Sequence, residues 1–314
     1  MFSEFRQDDR ATVTAFVMSG VLAGGNAVGV RFTVKELAPL WGAGLRFALA
    51  AALLLLVVAA MRLGLPRGRA LRGAVLFGML NFAGAFGFAY YTLAHMQAGL
   101  ASTLLALVPL ATLLLAVVQR QERLRLSGIV GGTLALAGVA VVSSASPDGS
   151  VPLLAFLAGI AGVSCFAEAA VLARRYPSIH PVTMNAVGMA VGGIVLLAGS
   201  VLAGETLMLP RQAATWAALA YLVVLGSVVV FVLFLFVIRS WSASRAVYID
   251  LLIPPVAVAL SAWLDSEPVT AALLFGGALI LIGVYVGALR PSGDASRVRE
   301  PAPTFETFEG AAAG

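Results

Sequence analysis

The chain has 314 residues, of which 61% are hydrophobic and 11% charged, with 33 glycines besides. A soluble domain holds about 25% charged and about 45–50% apolar residues with glycine counted. The composition therefore excludes a soluble globular protein, a nucleic-acid binder and a disordered scaffold, in spite of a net charge of +5. One cysteine, Cys165, excludes a disulfide framework, and two histidines, His95 and His180, leave little for a metal centre.

A helix needs about 20 apolar residues to cross the hydrocarbon core. Ten such runs follow one another at 12–30, 39–61, 71–92, 97–118, 126–144, 151–173, 181–203, 213–237, 244–263 and 270–288. The gaps between them hold no soluble domain. The first run is too long for a signal-peptide core and has no convincing cleavage site, so it is expected to stay. After Arg290 the composition turns to Pro, Ala, Glu and Thr, which predicts a short disordered cytoplasmic tail over 291–314. Of the 20 basic residues, 16 lie at the N-terminus, in alternate loops and in the tail. Arg31, Lys35 and Arg211 occupy the other loops, and Arg46 lies inside a run. The positive-inside rule then places both termini in the cytoplasm. The expected class is an all-α polytopic protein of the inner (plasma) membrane with ten spans, lipid its surroundings.

An internal repeat divides the spans. Pro109, Glu122, Gly131, Gly132 and Gly138 recur 145 residues later as Pro254, Glu267, Gly276, Gly277 and Gly283. An offset of 142 carries Gly20 to Gly162 and Pro39 to Pro181. Residues 1–144 and 145–290 thus read as two five-helix copies. Five is odd, so the second copy enters the membrane from the opposite side. Inverted repeats of this kind are common in secondary transporters, with substrate near the midplane, although duplication also builds channels and membrane enzymes.

Several motifs fall in the same order as in a known family. Pro39 with Arg46-Phe47 is similar to a P-x6-R-F opening of helix 2. Ala98-Gly99-Leu100-Ala101-Ser102, then Pro109, then Gln121-Glu122-Arg123-Leu124 resembles a helix-4 pattern with its G-E-R loop, and Asp265-Ser266-Glu267-Pro268 looks like the second copy of that loop. Over residues 12–290 the chain resembles the drug/metabolite transporter superfamily, EamA type, and most of all its bacterial aromatic amino-acid exporters. The resemblance implies alternating access and export of small amphipathic metabolites, with aromatic or other apolar amino acids leading. Drug exporters and sugar or nucleotide-sugar carriers share the superfamily, and nucleotide sugars fit poorly because only Arg46 lies deep. One departure is Ala23-Gly24-Gly25-Asn26, which lacks the Trp that many members have in helix 1.

Ionisable groups within spans are functional candidates by default. Glu168 has Ser164 one turn earlier, and the 142 offset maps Asn26 onto it. It reads either as a site for a coupling proton or a substrate amine, or as an interfacial residue paired with Arg174 or Arg175. Arg46 reads first as structural, bonding freed carbonyls of a neighbouring helix. Glu122 and Glu267 read as caps for the helices that follow them. Asp250 reads as an interfacial partner of Arg245. Pro109 and Pro254-Pro255 interrupt helices 4 and 9 at equivalent places and are hinge candidates. On helix 3, Asn81, Phe88, Thr92 and His95 keep within about 40° of one line, with Phe77 on the same face and Tyr91 flanking it. Tyr90 points the other way. Tyr248 shares a face with Ser244 on helix 9, after Trp241. No Walker loop, metal-ligand spacing, catalytic set or channel filter is present, so the expectation is a carrier of a small molecule, without cofactor or metal.

Overall fold

The computed structural model describes residues 7–119, 126–143, 152–173, 175–176, 179–230, 233, 237 and 252–289. All regular structure among them is helical: α1 Gln7–Val34, α2 Pro39–Ala60, α3 Arg69–His95, α4 Ala98–Val118, α5 Leu126–Ser143, α6 Leu153–Ala173, α7 Pro181–Leu202, α8 Ala213–Val229, α9 Ile253–Leu264 and α10 Ala271–Val284. Six of these, α1 to α4, α6 and α7, are long and apolar enough to cross a membrane; the other four include shorter apolar helices. Tyr248, Trp241, Ser244, Asp250, Glu122, Arg174 and the tail lie outside the described residues.

Several helices depart from regular α geometry. In α3 the stretch Met79–Ala85 is π-helical, and in α8 so is Val224–Val229. The two stretches stand about 145 residues apart, at matching places of the sequence repeat. A π turn inserts a residue and frees backbone groups, which in lipid must find partners inside the protein. α4 is two helices, Ala98–Leu105 and Val108–Val118, with Pro109 in the first turn of the second. There its missing N–H would be unsatisfied in any case. Pro254 likewise opens α9.

The helices associate in a reciprocal pattern. α2 lies along α7, and α5 along α10; α1 packs on α8 and α9, while α6 packs on α3 and α4. Glycines bring α5 and α10 to backbone contact. A Cβ on Gly138 would stand 2.6 Å from the Gly276 carbonyl oxygen, and one on Gly283 would stand 2.6 Å from that of Gly131. Lipid offers no hydrophobic drive between helices, so close approach through small residues supplies the packing energy. The repeated glycines of the sequence thus meet each other across one pair.

One end of the bundle is closed by polar contacts. There α1, α3, α7 and α9 finish while α2, α4, α6, α8 and α10 begin, so α1 leaves the bundle where α6 enters it. The Glu205 carboxylate accepts from the backbone N–H groups of Leu40 (3.2 Å) and Trp41 (2.9 Å) at the start of α2. Glu36 accepts from the N–H groups of Arg211 and Gln212 ahead of α8. Glu267 accepts from Ala98 N (2.9 Å) and Gly99 N (3.4 Å). Carboxylates satisfy the orphan donors of helix N-termini and suit their positive dipole ends. Glu267 is indeed a cap, yet for α4 and not for the helix it precedes; α10 is capped by Thr270, whose hydroxyl accepts from Leu273 N.

Candidate functional site

The deepest polar cluster lies where α1, α2, α3 and α8 meet. Asn26 donates its Nδ2–H to the Gly226 carbonyl at 3.1 Å, and Arg46 donates Nη2–H to the same oxygen at 3.3 Å. Arg46 Nε–H reaches Ser227 Oγ at 3.2 Å, and Ser227 in turn donates to the Leu222 carbonyl five residues back. The π turn of α8 thus presents the carbonyl that both side chains hold. Tyr221 ties α8 to α1 by donating to the Leu22 carbonyl at 2.6 Å, over Gly25, where any Cβ would strike the phenol.

Arg46 is 1% exposed, and its guanidinium lies 5.1 Å from the Phe47 ring centre and 5.2 Å from that of Phe86. Phe82 and Phe166 extend this aromatic wall from α3 and α6. Burying a guanidinium costs several kcal/mol unless its donors and charge are compensated. Two hydrogen bonds and two ring faces compensate it in part. Among the described residues, Arg46 Nη1, Asn26 Oδ1 and Tyr90 Oη are buried without a hydrogen-bond partner. The Tyr90 hydroxyl, wholly buried, sits beside the Arg46 guanidinium and the Thr33 hydroxyl.

The other expected residues are dispersed. Phe88 is 41% exposed and, with Tyr91, lines an apolar groove of about 850 Å³ between α2, α3, α6 and α7, to which Glu205 also contributes. Thr92 is buried; its hydroxyl meets the carbonyls of Phe88 (2.9 Å) and, on α6, Ala155 (3.1 Å). His95 is exposed, with Nδ1 on the Tyr91 carbonyl and its ring against Tyr91. Asn81 lies half-buried within the π turn of α3. Ser164 is exposed and bonds its own helix at Ile160. Glu168 accepts from Gln119 Nε2 at 2.6 Å, while Gln119 Oε1 accepts from Arg175. Glu168 is therefore joined to Arg175 through an amide, whereas Asn26, which the offset relates to it, bonds Gly226. Tyr221, Ser227 and Gly226 escaped the sequence reading, in which Tyr90 figures only as the residue that points away from the helix-3 stripe. Tyr90 offered a signal, a polar head opposite the helix-3 stripe.

At the closed end, Arg31 donates to the carbonyls of Leu93 (2.8 Å) and Ala94 (3.3 Å). It stands 3.7 Å from Glu267 and 3.9 Å from Asp265, which also pairs with Lys35. This latch joins the end of α1 and the α3–α4 corner to the α9–α10 loop. Among the described residues no three His, Cys, Asp or Glu side chains converge on a metal position.

The sequence profile of the EamA-like transporter family matches this chain twice, over residues 10–144 and 153–288. The chain belongs to the EamA-like transporter family. Among curated relatives, YedA, an inner membrane transporter of Escherichia coli (strain K12), is 30% identical over 83% of this chain and 88% of its own length. A "Probable terminal-alkyne amino-acid exporter" of Streptantibioticus cattleyicolor is 31% identical over 74% of this chain and 78% of its own. A "Probable amino-acid metabolite efflux pump" of E. coli K12 is 28% identical over 85% and 91%. One solved crystal structure superposes with a TM-score of 0.64 at 20% identity, covering 89% of this chain and 96% of the other, which shows a shared fold. This EamA-family chain is a multi-pass transporter of the inner (plasma) membrane.

Proposed function

We propose that this transporter exports small amphipathic amino acids, aromatic or otherwise apolar, from the cytoplasm, and returns them chemically unchanged. The observation that carries the reading is Arg46, a charged group buried at 1% exposure against the rings of Phe47 and Phe86 where α1, α2 and α8 meet. A charge beside aromatic faces suits a ligand that is ionic at one end and apolar at the other. The names of the two exporter relatives support the same substrate class.

The mechanism we assign is alternating access by two inverted five-helix repeats, 1–144 and 145–290, in ten spans with both termini in the cytoplasm. Three features support it: the double family match, the reciprocal Gly131–Gly283 and Gly138–Gly276 contacts, and the opposite directions of α1 and α6 at the closed end. In that orientation the Arg31–Asp265–Glu267 latch shuts the outer side, and Pro109, Pro254 and Pro255 are the hinges. Glu168 belongs to an interfacial network with Gln119 and Arg175, apart from substrate and coupling proton.

Counterflow in proteoliposomes tests the function. Vesicles loaded with unlabelled L-phenylalanine or L-leucine should concentrate the labelled amino acid transiently. A protein that exchanges neither of these, nor any other apolar amino acid, is not an exporter of this class.

A further inference from the structure

Three atoms of the central cluster stand out because a folded protein rarely leaves buried polar groups unpaired. Among the described residues, Arg46 Nη1 is a donor with no acceptor and Asn26 Oδ1 an acceptor with no donor, while the Tyr90 hydroxyl, within reach of the Arg46 guanidinium and the Thr33 hydroxyl, makes no hydrogen bond of regular geometry. Each belongs to a side chain otherwise fixed. Asn26 and Arg46 are both held by the Gly226 carbonyl, and Tyr90 sits beside the guanidinium. Asn26 of α1 and Arg46 of α2 meet the π turn of α8, Arg46 also lies against the rings of Phe47 and Phe86, and Tyr90 of α3 stands beside Arg46.

We propose that Arg46 Nη1, Tyr90 Oη and Asn26 Oδ1 form the head-group site for an α-amino acid zwitterion. The substrate carboxylate accepts from Arg46 and Tyr90. Its ammonium donates to Asn26. The side chain lies along the Phe47–Phe82–Phe86 wall. This assignment rests on the export reading above and adds to it the atoms that recognise the substrate. Donors and acceptor of this kind match the two charged ends of one zwitterion. A simple carboxylic acid would leave Asn26 unanswered, and a simple amine would leave Arg46 and Tyr90 unanswered. A water could satisfy any one of the three atoms, but it would not distinguish among such ligands.

The site is shut in this structure, since Arg46 is 1% and Tyr90 0% exposed. Access requires α8 to move away from α1 and α2. The contacts that would part are the Gly226 carbonyl bonds themselves. Substrate would then replace, on Asn26 and Arg46, hydrogen bonds that the π turn supplies in the closed state. Binding and the opening of α8 become one event.

The test compares ligands within each variant, so that any uniform loss of folded protein cancels. The probes are L-phenylalanine, phenethylamine, which lacks the carboxylate, and 3-phenylpropanoate, which lacks the amine. Inhibition of labelled L-phenylalanine counterflow is read for each, in wild type, Tyr90→Phe and Asn26→Leu. Tyr90→Phe keeps the buried ring and removes one oxygen. It should weaken L-phenylalanine and 3-phenylpropanoate by about tenfold or more, the worth of a hydrogen bond to a charged group, and leave phenethylamine unchanged. Asn26→Leu should erase the preference for L-phenylalanine over 3-phenylpropanoate. If Tyr90→Phe weakens all three probes equally, or none, the three atoms serve the fold or hold water and the proposal is overturned. If wild-type protein exchanges no amino acid at all, the export reading fails first and takes this one with it.

Discussion

The side-chain amide of Asn26 and the backbone carbonyl of Gly226 meet at 3.1 Å, two hundred residues apart, tying α1 to the π turn of α8. Gly226 has no Cβ because the space is taken: a Cβ there would collide with Asn26 Oδ1. Gly226→Ala should therefore displace Asn26 and lower stability by about 1–3 kcal/mol, the usual cost of overpacking. Combining it with Asn26→Ala should recover part of that loss, because the obstructing oxygen is gone. Thermal unfolding in detergent measures both. An unaltered melting temperature in Gly226→Ala would show that α8 yields without effort.

Glu267 joins two jobs, capping α4 and facing Arg31. Glu267→Ala should cost about 1–2 kcal/mol through the lost cap. Glu267→Gln keeps an acceptor for Ala98 N, so it should cost less while loosening the latch. In the proposed orientation, a cysteine at Leu93, buried at the closed end, should react faster with a membrane-impermeant reagent in Arg31→Gln than with Arg31 in place. Cys165 is first replaced by serine. Equal labelling rates would mean that the latch does not hold this end shut.

Glu36, in the α1–α2 loop, has its carboxyl pulled below the usual glutamate value of 4.5. The Thr215 hydroxyl is the largest cause, helped by the N–H groups and charge around Arg211, against a desolvation that works the other way. A lowered folded-state value contributes stability that is fully present above 4.5 and lost as pH falls through the folded value. Glu36→Gln should flatten the acid limb of the stability profile, and Thr215→Ala should move that limb upward in pH. Unfolding temperatures across about pH 3–6 report it; superimposable limbs would remove Glu36 from the account.

Glu168 accepts from Gln119, which also holds Arg175. Polar bridges near the protein surface contribute about 0–1 kcal/mol, and this one is only partly buried. Glu168→Gln should leave both stability and the pH dependence of transport close to wild type. Loss of pH-driven accumulation in that variant would instead make Glu168 a proton carrier.

The hinge assignment rests on Pro109 and Pro254, each in the first turn of the helix that follows a break. Pro109→Ala and Pro254→Ala should express and bind substrate but slow its exchange, with Pro254→Ala the milder because Pro255 remains. Wild-type turnover in both would move the hinge to the α1 glycines, Gly24 and Gly25.

The apolar runs, the basic-residue bias and the repeat were legible in the sequence because each depends on composition or spacing alone. Lipid demands about 20 apolar residues per crossing, and duplication keeps Gly131, Gly138, Gly276 and Gly283 in register. What those residues touch was settled only in three dimensions. Glu267 could be read as a cap, but the helix it caps starts 169 residues away. Arg46 could be read as bonding freed carbonyls, but nothing local marks Gly226, whose carbonyl is freed by a π turn rather than by a proline. The stripe on α3 could be read as a binding face because periodicity shows which residues share a side. It cannot show which side faces lipid: in a membrane both faces of a helix are apolar, so the solvent contrast that orients a soluble helix is missing. Phe88 went outward and Tyr90 inward, beside the buried Arg46, for that reason.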